Sequence, residues 1–169
     1  ASMARAATND IFEMADEWVD APRRSVRQAC ITSAKEGANA QEYTNVVHAP
    51  NNIPSGASVL PIYQGPLSDI LNELKDIEVR GSRTTKIDQT IYLALCGGGG
   101  VVLGQAVVKA CLGPLSQEEW EQLRPRHRVQ QQELWYRDHT YGYELENIVR
   151  YDTPVPYKTL GGQTWQRAL

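Results

Sequence analysis

The sequence predicts an α+β fold, a small mixed β-barrel flanked by helices, with a helical N-terminal extension. Three observations point there. Apolar residues recur at helical spacing up to about Gly56. From Ser58 the period shortens to the alternation of strands. The elements after that point run β-α-β-β-β-α-β, with short strands and no regular crossover units, which favours a compact barrel over a doubly wound sheet.

Taken in order, "ATNDIFEMADEWVDAP" places Ile11, Ala15, Trp18 and Val19 on one helical face, with Thr8 or Asn9 as N-cap. Pro22 ends that helix and opens the next, whose face carries Val26, Cys30 and Ala34 and which stops at Gly37. A third short helix is expected through "AQEYTNVV", then a loop through "HAPNNIPSGAS". "SVLPIYQ" reads as a strand. "LSDILNEL" reads as a two-turn helix burying Leu67, Ile70, Leu71 and Leu74. "DIEVRG", "TIYLAL" and "VVLGQAVVKACL" read as strands, and "SQEEWEQLR" as a helix opened by a Ser116–Glu119 capping box. "YGYELENIVRYDTPVPY" closes the series as a strand with Tyr141, Tyr143 and Leu145 on one face.

At 169 residues, 41% apolar and 22% charged, the chain suits one domain with an extension. No apolar run is long enough to cross a bilayer as a helix. Ala1 and Ser2 read as a cloning remnant before Met3, and no signal peptide is expected. Cys30, Cys96 and Cys111 are an odd, unpaired set, which fits a reducing, intracellular compartment, cytoplasmic or nuclear. A net charge of −3 argues against a uniformly basic nucleic-acid binder but leaves room for a local patch.

The glycine run at 97–100 resembles a phosphate cradle only superficially. A strand follows it, not a helix N-terminus, and no Lys-Ser or Lys-Thr pair stands nearby, so a hairpin turn is the better reading. His48, His127 and His139 lack ligand spacing, so no metal site is expected and each reads as a loop or surface histidine. No cofactor motif is present.

Two cationic stretches remain. "RPRHR", with Arg124, Arg126 and Arg128, reads as an ordinary solvated cluster. "EVRGSRTTK" is more informative: Arg80, Arg83 and Lys86 alternate with the hydroxyls of Ser82, Thr84 and Thr85, with no acid between Val79 and Asp88. Such groups suit phosphate oxygens. Downstream, Trp135, Tyr136, Tyr141 and Tyr143 are available to stack bases, although Tyr143 alternates with Leu145 and suits the core. Strand alternation puts Glu78 and Arg80 on one face and Ile77 and Val79 on the face toward the core. A surface ion pair contributes only ~0–1 kcal/mol, so stability alone is a weak reason for that charge pair.

"SVLPIYQGPLSDILNELKDIEVRGSRT" resembles the opening of an ASCH domain of the PUA-like superfamily: strand, short helix, then a Lys-x-x-Glu-x-Arg strand, here Lys75, Glu78 and Arg80. "IYLAL" is similar to the family's next strand, and "YGYELENIVRYDTPVPYKTLGGQTW" to its closing strand and tail. The resemblance spans 58–169 as the ASCH domain and leaves 1–57 as the helical extension. It implies a small barrel with a polar cleft, and nucleic-acid binding, RNA or single-stranded, as the function.

On that reading Lys75 and Glu78 line a base pocket. Arg80, Ser82, Arg83, Thr84, Lys86 and Tyr141 complete the nucleic-acid-binding set. The alternative is a hydrolase acting on a modified nucleoside or on RNA, with Lys75 and Glu78 as catalytic groups. Small members of the family deacylate a modified cytidine with a Lys and a Thr three residues later, and here Glu78 stands at the Thr position. A protein partner could also dock on the N-terminal helices through Phe12, Trp18 and Val19.

Overall fold

The computed structural model describes residues 45–159 and 164–169. The helices expected between Thr8 and Gly37, and the docking role given to Phe12, Trp18 and Val19, lie outside the described residues. The third expected helix is described only at its end, where Val46–Val47 form a strand, β1, parallel to Arg150 and Tyr151. Two adjacent β-branched residues suit that extended pairing better than a helix end. Ala49 and Ile53 in the following loop are buried, so part of the stretch expected as a linker packs onto the sheet.

The expected strand and helix signals of the later chain hold. In order come β2 (Ser58–Ile62), α1 (Gln64–Leu71), β3 (Ile77–Arg80), β4 (Thr90–Leu95) and β5 (Val101–Leu112). Then follow α2 (Gln117–Gln122), α3 (Arg124–His127), β6 (Tyr141–Pro156) and a short β7 (Gln166–Arg167). The glycine run is the β4–β5 turn, with Gly97, Gly99 and Gly100 at positive φ, where a side chain would be strained. Ser116 caps α2 in a reciprocal box with Glu119. Helix α1 stops at Leu71, because Glu73 takes a positive φ of 57°, and Leu74 is exposed where the helical stripe expected it buried.

The seven strands form one mixed sheet in the order β1-β6-β5-β4-β2-β7, with β3 also on β6. This path does not close on itself among the described residues, so the expected barrel is an open sheet. β7 pairs only Ser58 and Val59 of β2, and β3 pairs with β6, so among the described residues an unladdered opening is left between the rest of β2 and β3. There Pro61 of β2 has no N–H to offer, and a side chain rather than a backbone ladder crosses the gap: Arg80 Nη2 donates to the Pro61 carbonyl at 2.7 Å.

The β5–β6 ladder shifts register at three places, between Val102 and Gly104, Gln105 and Val107, and Val108 and Ala110, and such bulges bend a sheet. One face buries Leu60, Ile62, Leu93, Val108 and Tyr143 against Leu67, Ile70 and Leu71 of α1. The other buries Val59, Ala94, Val102, Tyr151 and Val155. Gly104 has no room for a side chain: a Cβ there would lie 2.3 Å from the Val149 carbonyl oxygen of β6 and 2.6 Å from Leu71 Cδ2 of α1.

A smaller cluster of Val79, Leu115, Trp120 and Val129 lies under α2. His127 joins it, fully buried and stacked on Trp120 at 4.0 Å, contrary to the expected surface position. Its Nδ1 accepts from the Val129 N–H at 3.0 Å, so Nε2 carries the proton and donates to the Trp120 carbonyl at 2.9 Å. A neutral ring satisfies both bonds. Removal from water then lowers its pKa below the ordinary value, against the opposing pull of the Trp120 carbonyl.

Two outcomes follow from this packing. Gly104→Ala should lower stability by about 1–3 kcal/mol in urea melts, since backbone must move to admit the methyl group. For His127 the folded pKa is depressed, so its contribution is complete above the unfolded pKa of about 6.5 and falls away below it. The urea midpoint should therefore drop as pH is lowered through that value, with a shallower drop in His127→Gln. An equal drop in both proteins would contradict a buried neutral imidazole.

Candidate functional site

The opening between β2 and β3 holds the densest buried charge among the described residues. After α1 the chain turns at Glu73, with the Lys75 N–H bonded to the Asp69 carbonyl, and delivers Lys75 to the start of β3. Lys75 is 4% exposed and Glu78 6%. Lys75 Nζ lies 3.0 Å from Glu78 Oε2, and Arg80 Nη2 lies 3.1 Å from Glu78 Oε1. One carboxylate thus stands between two cations.

The sequence reading put Glu78 and Arg80 on the strand face away from the core, lining a polar cleft with Lys75. The strand is instead buried on both sides. Glu78 lies opposite Tyr143 and Arg80 opposite Tyr141 on β6, so the charged face looks toward the main core and its α1 side. Val79 packs into the Trp120 cluster, reversing the expected orientation. Burial also changes the energetics, because desolvating ions costs several kcal/mol each and ideal pairing only offsets it.

The pairing here is incomplete. Glu78 Oε2 is within ion-pair distance of Lys75 but out of hydrogen-bond alignment, and the buried Arg80 Nε has no acceptor among the described residues. Two cations against one carboxylate also leave a surplus positive charge. An unmade bond beside a surplus charge is what an arriving ligand would complete.

Aromatic and loop groups border the triad. Tyr143 is buried, its hydroxyl donates to the Ser82 carbonyl at 2.7 Å, and burial first of all raises its pKa. Trp165 stacks on it at 5.9 Å with the rings 9° from parallel, and Lys86 Nζ lies 5.3 Å from the Trp165 ring centre. Ser82 and Arg83 are exposed, and Lys86 and Tyr141 are half-buried. Thr84 is buried instead: its hydroxyl accepts from the Lys86 N–H and its own N–H reaches Cys111 Sγ. It therefore shapes the loop from within. Trp165 was not singled out from the sequence, because its tail is close to the triad only through the fold.

The second cationic stretch, expected as a solvated cluster, is committed elsewhere in ion pairs. Arg124 makes a bidentate pair with Glu121 and donates to the Val129 and Gln131 carbonyls. Arg126 pairs with Asp76, which most strongly raises its pKa, and with Glu144; Arg128 pairs with Asp69. An open depression lined by Gln117, Glu121, Arg124 and Gln132 lies in that region. Arg124 is already saturated there, so the geometry favours the β2–β3 opening. No group of metal-ligating side chains occurs among the described residues.

Removing one member of the triad should be worse than removing all three. Glu78→Gln leaves two buried cations facing each other and should cost about 3–5 kcal/mol, whereas Lys75→Met, Glu78→Leu and Arg80→Met combined should cost less. Urea unfolding of both variants checks this; a triple variant as unstable as Glu78→Gln would mean that the ion pairs themselves hold the fold.

No family model matches the sequence, and no curated protein matches it. Solved structures do. The ASCH protein of Zymomonas mobilis aligns with TM-score 0.50 and 16% identity over 60% of this chain and 73% of that one. A tyrosine-to-phenylalanine variant of it gives 0.50 and 16% over 60% and 76%. A serine-to-alanine variant gives 0.50 and 18% over 62% and 77%. At this identity the likeness speaks of fold, and it agrees with the element order and the mixed sheet described above. The described chain shares the fold of these ASCH structures.

Proposed function

We propose that this chain binds nucleic acid, RNA or another single strand, at the opening between β2 and β3. The observation that carries the reading is the buried Lys75–Glu78–Arg80 triad, with its surplus positive charge and its unpaired Arg80 Nε. A phosphate would meet the surplus charge. A base edge presenting an acceptor beside a donor would meet Arg80 Nε and the misaligned Glu78 oxygen.

The exposed Arg83 and the half-buried Lys86 extend the path outward, with Ser82 between β3 and Arg83. Tyr141, half-buried opposite Arg80, borders the inner end. The ASCH fold supports the same direction, as RNA binding is the role inferred for such modules.

A second reading rests on one contact. Two buried ionisable groups 3.0 Å apart, Lys75 and Glu78, have the proximity that proton transfer needs. On this reading the chain hydrolyses a modified nucleoside or RNA, with Lys75 and Glu78 as the catalytic pair. Product formation from nucleosides and short RNA, lost in Lys75→Ala while binding persists, would select it; absence of turnover in every substrate would reject it.

The binding reading predicts a steep fall of affinity with salt, through release of counterions from the strand. Arg83→Ala with Lys86→Ala should weaken single-stranded RNA binding in fluorescence anisotropy and reduce the salt slope by about 0.7 per lost contact. If affinity and slope are both unchanged, the path assigned along the loop is wrong.

A further inference from the structure

Trp165 packs on the main core against Tyr143 and also meets a loop cation, Lys86. Tyr143 is anchored: it is fully buried and its hydroxyl is bonded to the Ser82 carbonyl. Trp165 lies nearly parallel on it, only partly buried, in the tail that leads into β7. What stands by the Trp165 ring is the Lys86 ammonium, the end of a flexible side chain on an exposed loop. A partly exposed ring backed by a fixed aromatic, whose cation contact among the described residues is the movable Lys86 ammonium, is a stacking platform holding a temporary occupant.

We propose that Trp165 is the base-stacking wall of the opening and that Lys86 occupies its ring until an unpaired nucleobase displaces it. This deepens the nucleic-acid reading and rests on it. Glu78 lies directly across the β3–β6 ladder from Tyr143, so a base stacked against Trp165 would sit near the triad that reads its edge. Stacking of a base on an aromatic ring is stronger than an exposed cation–π contact, so the exchange runs toward the base. The freed Lys86 then reaches a phosphate of the same strand, turning a self-contact into a backbone contact. The ligand class is therefore a single unstacked base within a strand, and duplex should bind poorly.

The test uses the full chain, a short mixed-sequence single-stranded RNA and free uncharged nucleosides. Trp165→Ala should weaken RNA binding roughly five- to hundredfold, with the salt slope unchanged, because a stack is lost and no phosphate contact. Trp165→Phe should retain most of the affinity. Lys86→Met should reduce the salt slope for RNA yet leave nucleoside binding undiminished, since the ring is vacated. Ultraviolet crosslinking of a thiouridine-containing RNA to wild type should mark the peptide holding Trp165.

If wild type binds RNA with a steep salt slope while Trp165→Ala and Trp165→Phe both match it and no crosslink falls on Trp165, the stacking wall is wrong and the nucleic-acid reading stands. If wild type binds neither RNA nor nucleoside, both fall together. Should Trp165→Ala fail to fold, Trp165→Phe and the crosslink still decide the question. A Lys86→Met variant that weakens nucleoside and RNA alike would overturn the displaceable-occupant role.

Discussion

A single carboxylate, Glu78, stands between Lys75 and Arg80 where the sheet fails to close. Much of the local architecture depends on that arrangement. Arg80 does two jobs at once, pairing with Glu78 and donating to the Pro61 carbonyl across the opening. It thereby ties β2 to β3 without a backbone ladder. Closing the same gap with paired strands would have left no room for polar groups. Because a side chain spans it, the opening stays polar, and burial makes each unmade bond there expensive.

The surroundings give that opening its directions. On the inner side the β6 ladder and the packing of Val79 in the Trp120 cluster hold β3, so Glu78 and Arg80 are presented on a regular strand rather than a loop. On the outer side the loop from Gly81 to Gln89 carries the exposed Arg83 and the half-buried Lys86, while Thr84 and Cys111 fasten it from beneath. Tyr143 connects the two regions, buried in the core yet bonded to the Ser82 carbonyl of the loop. A fixed polar floor, an aromatic wall and an adjustable cationic rim together suit a strand of nucleic acid better than a compact anion, which would use only the floor.

Much of this was legible in the sequence, and what was not has identifiable causes. Apolar, β-branched runs on either side of the glycines located β4 and β5, and the Ser116–Glu119 spacing announced the capping box, because these signals are local. Lys75, Glu78 and Arg80 could be read as a set from one strand motif. Their burial could not, since the charged face of β3 lies beside Tyr143 and Tyr141 of β6 and the core they join, far along the chain. His127 was misjudged for the same reason: nothing within a few residues signals the Trp120 stack. Thr84 looked like a phosphate donor by type, but it is buried and its hydroxyl oxygen accepts from the Lys86 N–H two residues on. Trp165 was invisible as a site residue, as its contact with Tyr143 joins positions far apart in the chain.

The most direct test of the central claim follows the Arg80 Nε–H itself, the buried donor without a partner. In nitrogen-15-labelled protein its resonance, assigned by comparison with Arg80→Lys, can be watched during titration with single-stranded RNA. If the triad reads a ligand, the Arg80 signal shifts and becomes protected from exchange with water as the titration saturates. If the RNA binds and the loop signals of Arg83 and Lys86 move while Arg80 Nε stays unchanged, the triad is a structural tie across the opening and the claim fails.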